Sequence, residues 1–124
     1  MPPSLDCVRS LAALQQADLR DLAAAVLWLG FAHRLDRPGR PTMNLVELQT
    51  TIARQVPELR IRLLRNPPAA AEAREILYEA VQVLEHNRLI LWRWAGEDLT
   101  SELITLTRRG RAALESESPD DYIR

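Results

Sequence analysis

Apolar residues recur at helical spacing along most of the first 87 residues. The first such stretch begins near Ser4 and ends near Gln16, which predicts a short N-terminal helix within residues 1–17. The next stretch begins at Asp18, whose carboxylate suits a helix N-terminus, and its apolar residues nearly encircle the helix. A helix of that composition should be buried, either in the core or against a partner subunit.

Two long helices are predicted before the pattern changes, and we number them third and fourth, leaving the short ambiguous segment between them out of the count. Asn44 and Glu47 have the spacing of a capping box, and the helix that they open should end near Val56. Residues 58–66 alternate apolar side chains with arginine, which fits a strand or a short helix, and we favour the helix. Residues 69–87 have the strongest helical pattern, an apolar stripe on good helix formers.

After Asn87 the spacing of the apolar residues changes from helical to alternating. Residues 89–95 and 102–107 both alternate in this way, and a polar loop at residues 96–100 separates them. Two alternating stretches joined by a short loop are typical of a β-hairpin. The sequence therefore predicts one hairpin directly after the fourth helix.

After the hairpin, the sequence predicts a last helix and a tail, and the whole chain then divides into three parts. Thr107 has the position of a helix cap, and the helix that it opens should end near Leu114. Residues 115–124 are acidic and contain a proline, so we expect a disordered tail there. Residues 1–17 then form an N-terminal segment, and residues 18–114 form one domain that is mainly α with a two-stranded β-hairpin.

Two stretches of sequence resemble a known fold. The fourth helix ends in Leu84-Glu85-His86-Asn87-Arg88-Leu89-Ile90, and the hairpin is followed by Leu106-Thr107-Arg108-Arg109-Gly110-Arg111-Ala112-Ala113-Leu114. Over residues 76–114 the chain resembles the recognition helix and wing of PadR-like and MarR-like bacterial regulators. The resemblance implies a winged helix-turn-helix fold in a homodimer that binds duplex DNA and regulates transcription. Winged helices also serve as protein-interaction modules.

The charge of the expected contact elements differs from that of a protein that reads DNA. The exposed face of the fourth helix should carry Glu72, Glu75 and Glu79, and the whole helix has four glutamates against one arginine. Duplex DNA is densely negative, so insertion of this face into a groove is disfavoured. The hairpin loop adds two more acids, Glu97 and Asp98.

Arginine supplies all 16 positive residues of a chain whose net charge is −1, and there is no lysine. Any contact with DNA must therefore be local. The candidate DNA-binding residues are the arginines that cluster before the fourth helix, on the first hairpin strand and after the hairpin: Arg37, Arg40, Arg60, Arg62, Arg65, Arg93, Arg108, Arg109 and Arg111. The alternative interpretation is that these arginines are simply solvated.

A second hypothesis for the function is a winged-helix module that binds a protein partner and no DNA. The acidic face of the fourth helix would provide Glu72, Glu75 and Glu79 for this purpose. Trp92 and Trp94 alternate on the first hairpin strand, so their indoles share a face of it. We expect that face to cover the core or a dimer seam, with an exposed docking site as the alternative.

The sequence contains little that indicates catalysis. Two histidines, one cysteine and no lysine provide no nucleophile and base pair, phosphate loop or metal cluster, so we expect no enzyme activity, cofactor or metal. Cys7 has no second cysteine with which to form a disulfide within the chain. The longest apolar run is too short to cross a bilayer, and we expect a cytoplasmic protein.

Overall fold

A computed structural model describes residues 2–55, 67–95 and 101–124, with the backbone alone at residues 94, 95, 101 and 102. These residues form a mainly helical fold with a small three-stranded antiparallel sheet. The helices are α1 Leu11–Gln16, α2 Leu19–Phe31, α3 Leu45–Gln55, α4 Pro67–His86 and α5 Arg108–Glu115, and the strands are β1 Thr42–Asn44, β2 Ile90–Ala95 and β3 Ser101–Leu106. Short 3-10 helices lie at Asp6–Val8, Ala32–Arg34 and Pro119–Tyr122.

The N-terminal segment packs into the same core as the rest of the described chain. Its helix begins at Leu11 rather than near Ser4, because the Ser10 hydroxyl caps it by accepting a hydrogen bond from the Ala13 amide. Val8, in the preceding 3-10 helix, is fully buried against the core.

Helix α2 lies at the centre of the core because nearly all of its side chains are apolar. Asp18 caps it as predicted, accepting a hydrogen bond from the Arg20 amide at 2.9 Å. Nine of its 13 residues are buried, Leu22, Val26 and Phe31 among them. Burial on that scale requires neighbours on several sides, and α2 contacts α3, α4 and α5.

Helix α3 opens with the predicted capping box. The Asn44 side chain accepts a hydrogen bond from the Glu47 amide at 2.8 Å and donates one to the Glu47 carboxylate at 3.2 Å. The three residues that end at this cap form β1, which pairs with β3. The two-stranded hairpin predicted from the sequence is therefore part of a three-stranded sheet.

Helix α4 begins two residues earlier than predicted. Pro67 and Pro68 occupy its first turn, where an amide hydrogen would have no partner within the helix. Its buried stripe is the predicted one, and Ala73, Ala80 and Val81 are fully buried in it. The preceding residues 58–66, predicted as a short helix or a strand, lie outside the described residues.

The sheet has the strand order β1-β3-β2 and packs one face on the core. Trp92 pairs with Ile104, which pairs in turn with Met43, so these three side chains share the inner face. The outer face carries Leu91, which is 48% exposed, and Thr105. The predicted hairpin is confirmed in β2 and β3, and its loop lies outside the described residues.

The C-terminal residues 115–124 are folded against α2 and α5, so the prediction of a disordered acidic tail is wrong. Ile123 is 2% exposed and joins the core. Arg20 of α2 donates two hydrogen bonds to the carbonyl oxygen of Asp120, at 3.1 and 3.0 Å. The acidic composition of this segment does not indicate that Ile123 is buried, because its burial depends on helices that are distant in the sequence.

Candidate functional site

Three segments of the chain meet around Thr107, at the end of the sheet where β3 stops and β2 begins. The Thr107 hydroxyl donates a hydrogen bond to the carbonyl oxygen of Arg88 at 2.7 Å, and the Thr107 amide donates one to Leu89 at 3.1 Å. On the other side, the Leu106 amide donates to the carbonyl oxygen of Pro41 at 2.9 Å. The turn before β2, the loop before β1 and the first turn of α5 therefore lie side by side.

Six arginines lie on these three segments, and we call this surface the basic end. Asp36 is the one acid within residues 35–41, 87–89 and 107–111, so the surface carries a strong positive charge. Two of the arginines lie in the loop before β1, one in the turn before β2 and three on α5: Arg37, Arg40, Arg88, Arg108, Arg109 and Arg111.

Two of these six side chains are used to hold the basic end together. The Arg109 guanidinium donates to the carbonyl oxygens of Asn87, at 3.1 Å, and Tyr122, at 3.2 Å, and it lies over the Tyr122 ring. Arg111 donates to the carbonyl oxygen of Leu35 and pairs with Glu115 at 3.0 Å. Both arginines add positive charge but have fewer donors left for a ligand.

The other four arginines, Arg37, Arg40, Arg88 and Arg108, are exposed to solvent. None of their guanidinium groups forms a hydrogen bond or an ion pair with another described residue. Four unpaired guanidinium groups on adjoining segments provide planar donors of the kind that bind phosphate or carboxylate.

Arg88 has an unusual backbone conformation. Its φ is 61°, and among the described residues it is the one non-glycine residue with a positive φ. It ends α4 in a Schellman motif, in which the Leu89 amide donates to Leu84 and the Arg88 amide to Glu85, both at 2.9 Å. Glycine is the usual residue at this position, because a Cβ there costs roughly 1–2 kcal/mol.

Arg88 is absent from the arginines that the sequence singled out. The candidate arginines cluster along the chain, whereas Arg88 directly follows an acidic helix and has Glu85 close by in the sequence. The available signal was its position directly after the last helical turn, where the sequence has arginine instead of glycine.

His33, at the start of the loop that carries Arg37, responds to the positive charge of the arginines near it. Burial lowers the pKa of the His33 imidazole, and the neighbouring Arg34 and Arg37 lower that pKa further. Asp36 acts in the opposite direction but is the weakest of these influences. The imidazole is therefore held toward its neutral form.

Among the described residues, the remaining candidate Arg93 does not join the basic end. Arg93 pairs in register with Leu103 near the middle of the sheet and is exposed on the outer face. Five residues separate it from Arg88, which corresponds to roughly 16 Å of extended chain. Arg60, Arg62 and Arg65 lie outside the described residues.

Helix α4 presents the acidic face that its sequence predicts, with Glu72, Glu75 and Glu79 exposed. No described residue forms an ion pair with any of these three carboxylates. Arg74, the one arginine of the helix, is directed to Gln49 of α3, and its Nε lies 3.4 Å from the amide oxygen. The face therefore keeps its negative charge.

Trp92 is half-buried between the sheet and α4. Its ring stacks on that of Tyr78, with 5.7 Å between the centroids and 30° between the planes. The prediction that Trp92 covers the core is thus confirmed, and the Trp92 ring borders α4. Trp94 pairs with Glu102 in the backbone register, and its side chain lies outside the described residues.

The described residues contain no group of three or more His, Cys, Asp or Glu side chains arranged to hold a metal ion. Cys7 is half-buried, and burial raises the pKa of its thiol. None of the described helices has both the length and the apolar composition needed to cross a membrane.

Comparison with known proteins gives no match to a protein family, to a curated protein or to a solved structure.

Proposed function

We propose that this chain is a winged helix-turn-helix protein that binds duplex DNA through its basic end and acts as a transcriptional regulator. The order of α2, β1, α3, α4 and a hairpin, with β1 beside β3, is the order of elements in winged-helix domains. Helix α4 then has the position of the recognition helix. The resemblance of residues 76–114 to bacterial regulators points to the same fold.

The observation that carries the DNA proposal is the convergence of unpaired arginines around the first turn of α5. Arg37, Arg40, Arg88 and Arg108 come from three segments of the chain, yet hydrogen bonds at Thr107 and Pro41 hold those segments together. Phosphate contacts supply most of the sequence-independent affinity of proteins for DNA. The exposed N-terminus of α5 adds a partial positive charge beside Arg108.

The strained conformation of Arg88 supports the same proposal. A residue that keeps an unfavourable φ often does so because its side chain is required at that place. Glycine at this position would relieve the strain but would remove one guanidinium group from the basic end.

Binding of DNA by the basic end requires a docking geometry different from that of most winged helices. Strand β2 begins at Ile90, beside the basic end, and runs away from it toward the hairpin loop. Its six residues span roughly 20 Å, so the basic end lies at the opposite end of the sheet from Ala95 and Ser101. The acidic face of α4 is repelled by phosphate, and we place it away from the duplex.

Fluorescence anisotropy with a labelled mixed-sequence duplex, in about 50 mM salt, tests the proposal. We expect the double variant Arg88→Gln/Arg108→Gln to bind at least tenfold more weakly than the wild type. The slope of log K against log salt should also fall by about 0.9 for each phosphate contact removed. Arg9→Gln, which removes an exposed arginine near the N-terminus and outside the basic end, is the matched control.

Two results would count against DNA binding at this surface. One is the absence of any binding at micromolar protein in low salt. The other is an equal affinity of the double variant and the Arg9→Gln control, which would make the positive charge of the basic end irrelevant.

A second candidate function is a protein-interaction module, and the acidic face of α4 favours it. Three exposed carboxylates that form no ion pair with a described residue lie on the same helix as Tyr78, which stacks with Trp92. A partner with a basic surface fits that combination. Reversing Glu75 and Glu79 to arginine would abolish capture of such a partner and leave the arginines of the basic end unchanged.

A further inference from the structure

The surface along α4 is acidic at Glu75 and Glu79, and basic residues border it beyond the end of the helix. The acidic face ends at Glu79, which lines a groove together with Leu19 of α2. His86 lines this groove and also the next one, which Arg88 and Arg109 help to form. The two charged regions therefore lie on one continuous surface.

Two apolar side chains lie in the middle of this surface. Leu19, at the first turn of α2, is 43% exposed, and the half-buried Val83 of α4 lines the same groove. An exposed leucine flanked by charged residues of opposite sign on its two sides is a favourable centre for an interface.

The acidic and basic regions do not neutralise each other within one copy of the chain. Seven residues of helix separate Glu79, the last residue of the acidic face, from His86, which corresponds to about 10 Å along the axis of α4. No ion pair between the two regions occurs in the described residues.

We propose that two copies of the chain associate along α4 in antiparallel orientation, with Glu75 and Glu79 of each copy facing Arg88 of the other. A surface that is acidic at one end and basic at the other, with two apolar side chains between them, is complementary to itself under a two-fold rotation. The rotation brings the two Leu19 and Val83 centres together. A parallel arrangement would place like charges opposite each other.

The association does not depend on the proposed binding of DNA, although both use the basic end. Arg88 belongs to both surfaces, so a duplex and a second copy compete for it. Arg37 and Arg40 lie on the opposite side of Thr107 from Arg88 and are not part of the dimer surface.

Sedimentation velocity in about 50 mM salt, where surface charges are weakly screened, tests the proposal with two variants. Glu75→Arg/Glu79→Arg places arginines opposite the Arg88 of the other copy, and Arg88→Glu places a carboxylate opposite the Glu75 and Glu79 of the other copy. Each variant alone should dimerise at least tenfold more weakly than the wild type. An equimolar mixture of the two should recover dimers, because every contact in the mixed pair again joins opposite charges.

Several results would overturn the antiparallel dimer. One is a wild type that sediments as a monomer at every concentration, and another is dimerisation of both variants as strong as that of the wild type. Failure of the mixture to recover dimers would also overturn it, provided that circular dichroism shows both variants folded. Glu117→Arg, a charge reversal at an exposed position away from α4, is the matched control and should leave dimerisation unchanged.

The same variants separate this inference from the proposed function. Glu75→Arg/Glu79→Arg keeps every arginine of the basic end, so it should bind duplex DNA at least as tightly as the wild type while losing the dimer. Loss of DNA binding in that variant would contradict the proposed function and would leave the dimer result intact.

Discussion

The Thr107 hydroxyl donates a hydrogen bond to the carbonyl oxygen of Arg88, 2.7 Å away, across the junction of β3 and α5. The Thr107 hydroxyl oxygen also accepts a hydrogen bond from the Gly110 amide at 3.0 Å and so caps α5. One side chain thus begins a helix and fixes the turn that carries Arg88.

Replacement of Thr107 by valine removes both hydrogen bonds with little change in shape. We expect the free energy of unfolding to fall by about 1–2 kcal/mol, since a lost cap alone costs about 1 kcal/mol. Urea denaturation measures the change, and Thr107→Ser should keep most of the stability. Equal stability of the valine and serine variants would show that the hydroxyl contributes nothing, and Thr50→Val, at an exposed position of α3, is the control.

Arg88→Gly should stabilise the fold while it weakens binding of anions at the basic end. Relief of the positive φ is expected to raise the free energy of unfolding by about 1 kcal/mol. Arg88→Gln keeps the Cβ and removes the charge, so its stability should match that of the wild type. Thermal and urea denaturation measure the effect of strain on the stability of the two variants, and anisotropy titrations measure the effect of charge on binding. A glycine variant less stable than the wild type would show that the positive φ of Arg88 is not strained.

Gly110 should tolerate alanine far less well than Gly30, although both glycines lie in helices. A Cβ at Gly110 would collide with the carbonyl oxygen of Leu89, whereas at Gly30 it would meet the flexible end of Leu48. We expect Gly110→Ala to lower the free energy of unfolding by about 1–3 kcal/mol and to exceed the loss for Gly30→Ala. Equal losses in urea denaturation would show that α5 does not approach the 87–89 turn this closely.

Ile123→Ala tests the packing of the C-terminal segment. Truncation of a fully buried isoleucine should lower the free energy of unfolding by about 2–5 kcal/mol. Glu117→Ala, at an exposed position of the same segment, should change it by less than about 0.5 kcal/mol. Limited proteolysis adds a second readout, because a packed segment resists cleavage and a disordered tail is removed at once.

The lowered pKa of His33 predicts a dependence of stability on pH. Because the folded protein favours the neutral imidazole, the unfolded chain binds more protons just below the ordinary pKa of 6.5. The free energy of unfolding should therefore decrease as the pH falls through 6.5 toward the folded pKa, and His33→Gln should remove that part of the decrease.

The same imidazole reports on the placement of Arg37. In an NMR titration, Arg37→Gln should raise the pKa of His33 toward its ordinary value, although burial, the largest influence, remains. An unchanged pKa of His33 would show that Arg37 does not lie near His33, and Arg37 would then no longer be assigned to the basic end.

The helices and their caps were predictable because each depends on neighbouring residues. Asp18, Asn44 and Thr107 lie at helix starts that the sequence marks, and the apolar stripe of α4 follows from its spacing alone. Strand β1 was not predictable in this way. It has three residues, and its pairing with β3 depends on contacts across 63 residues of chain.

The candidate site was only partly predictable for a related reason. Arginine clusters along the chain pointed to Arg37, Arg40 and the arginines of α5, which the fold brings together at Thr107. Arg88 joins them through a turn whose positive φ is a property of the folded backbone. Sequence spacing also grouped Arg93 with the others, although its position on the sheet separates it from them.

The pairing of β1 with β3 has a consequence for the way in which the chain reaches its fold. The hairpin of β2 and β3 joins residues close in sequence, whereas the contact of Thr42 with Thr105 closes a loop of 63 residues. Contacts of such long range slow the folding of small domains, because the entropy of closing the loop is lost before they form. We therefore expect the loop of the basic end, which is attached to the sheet beside this pairing, to be fixed after the hairpin of β2 and β3 has formed.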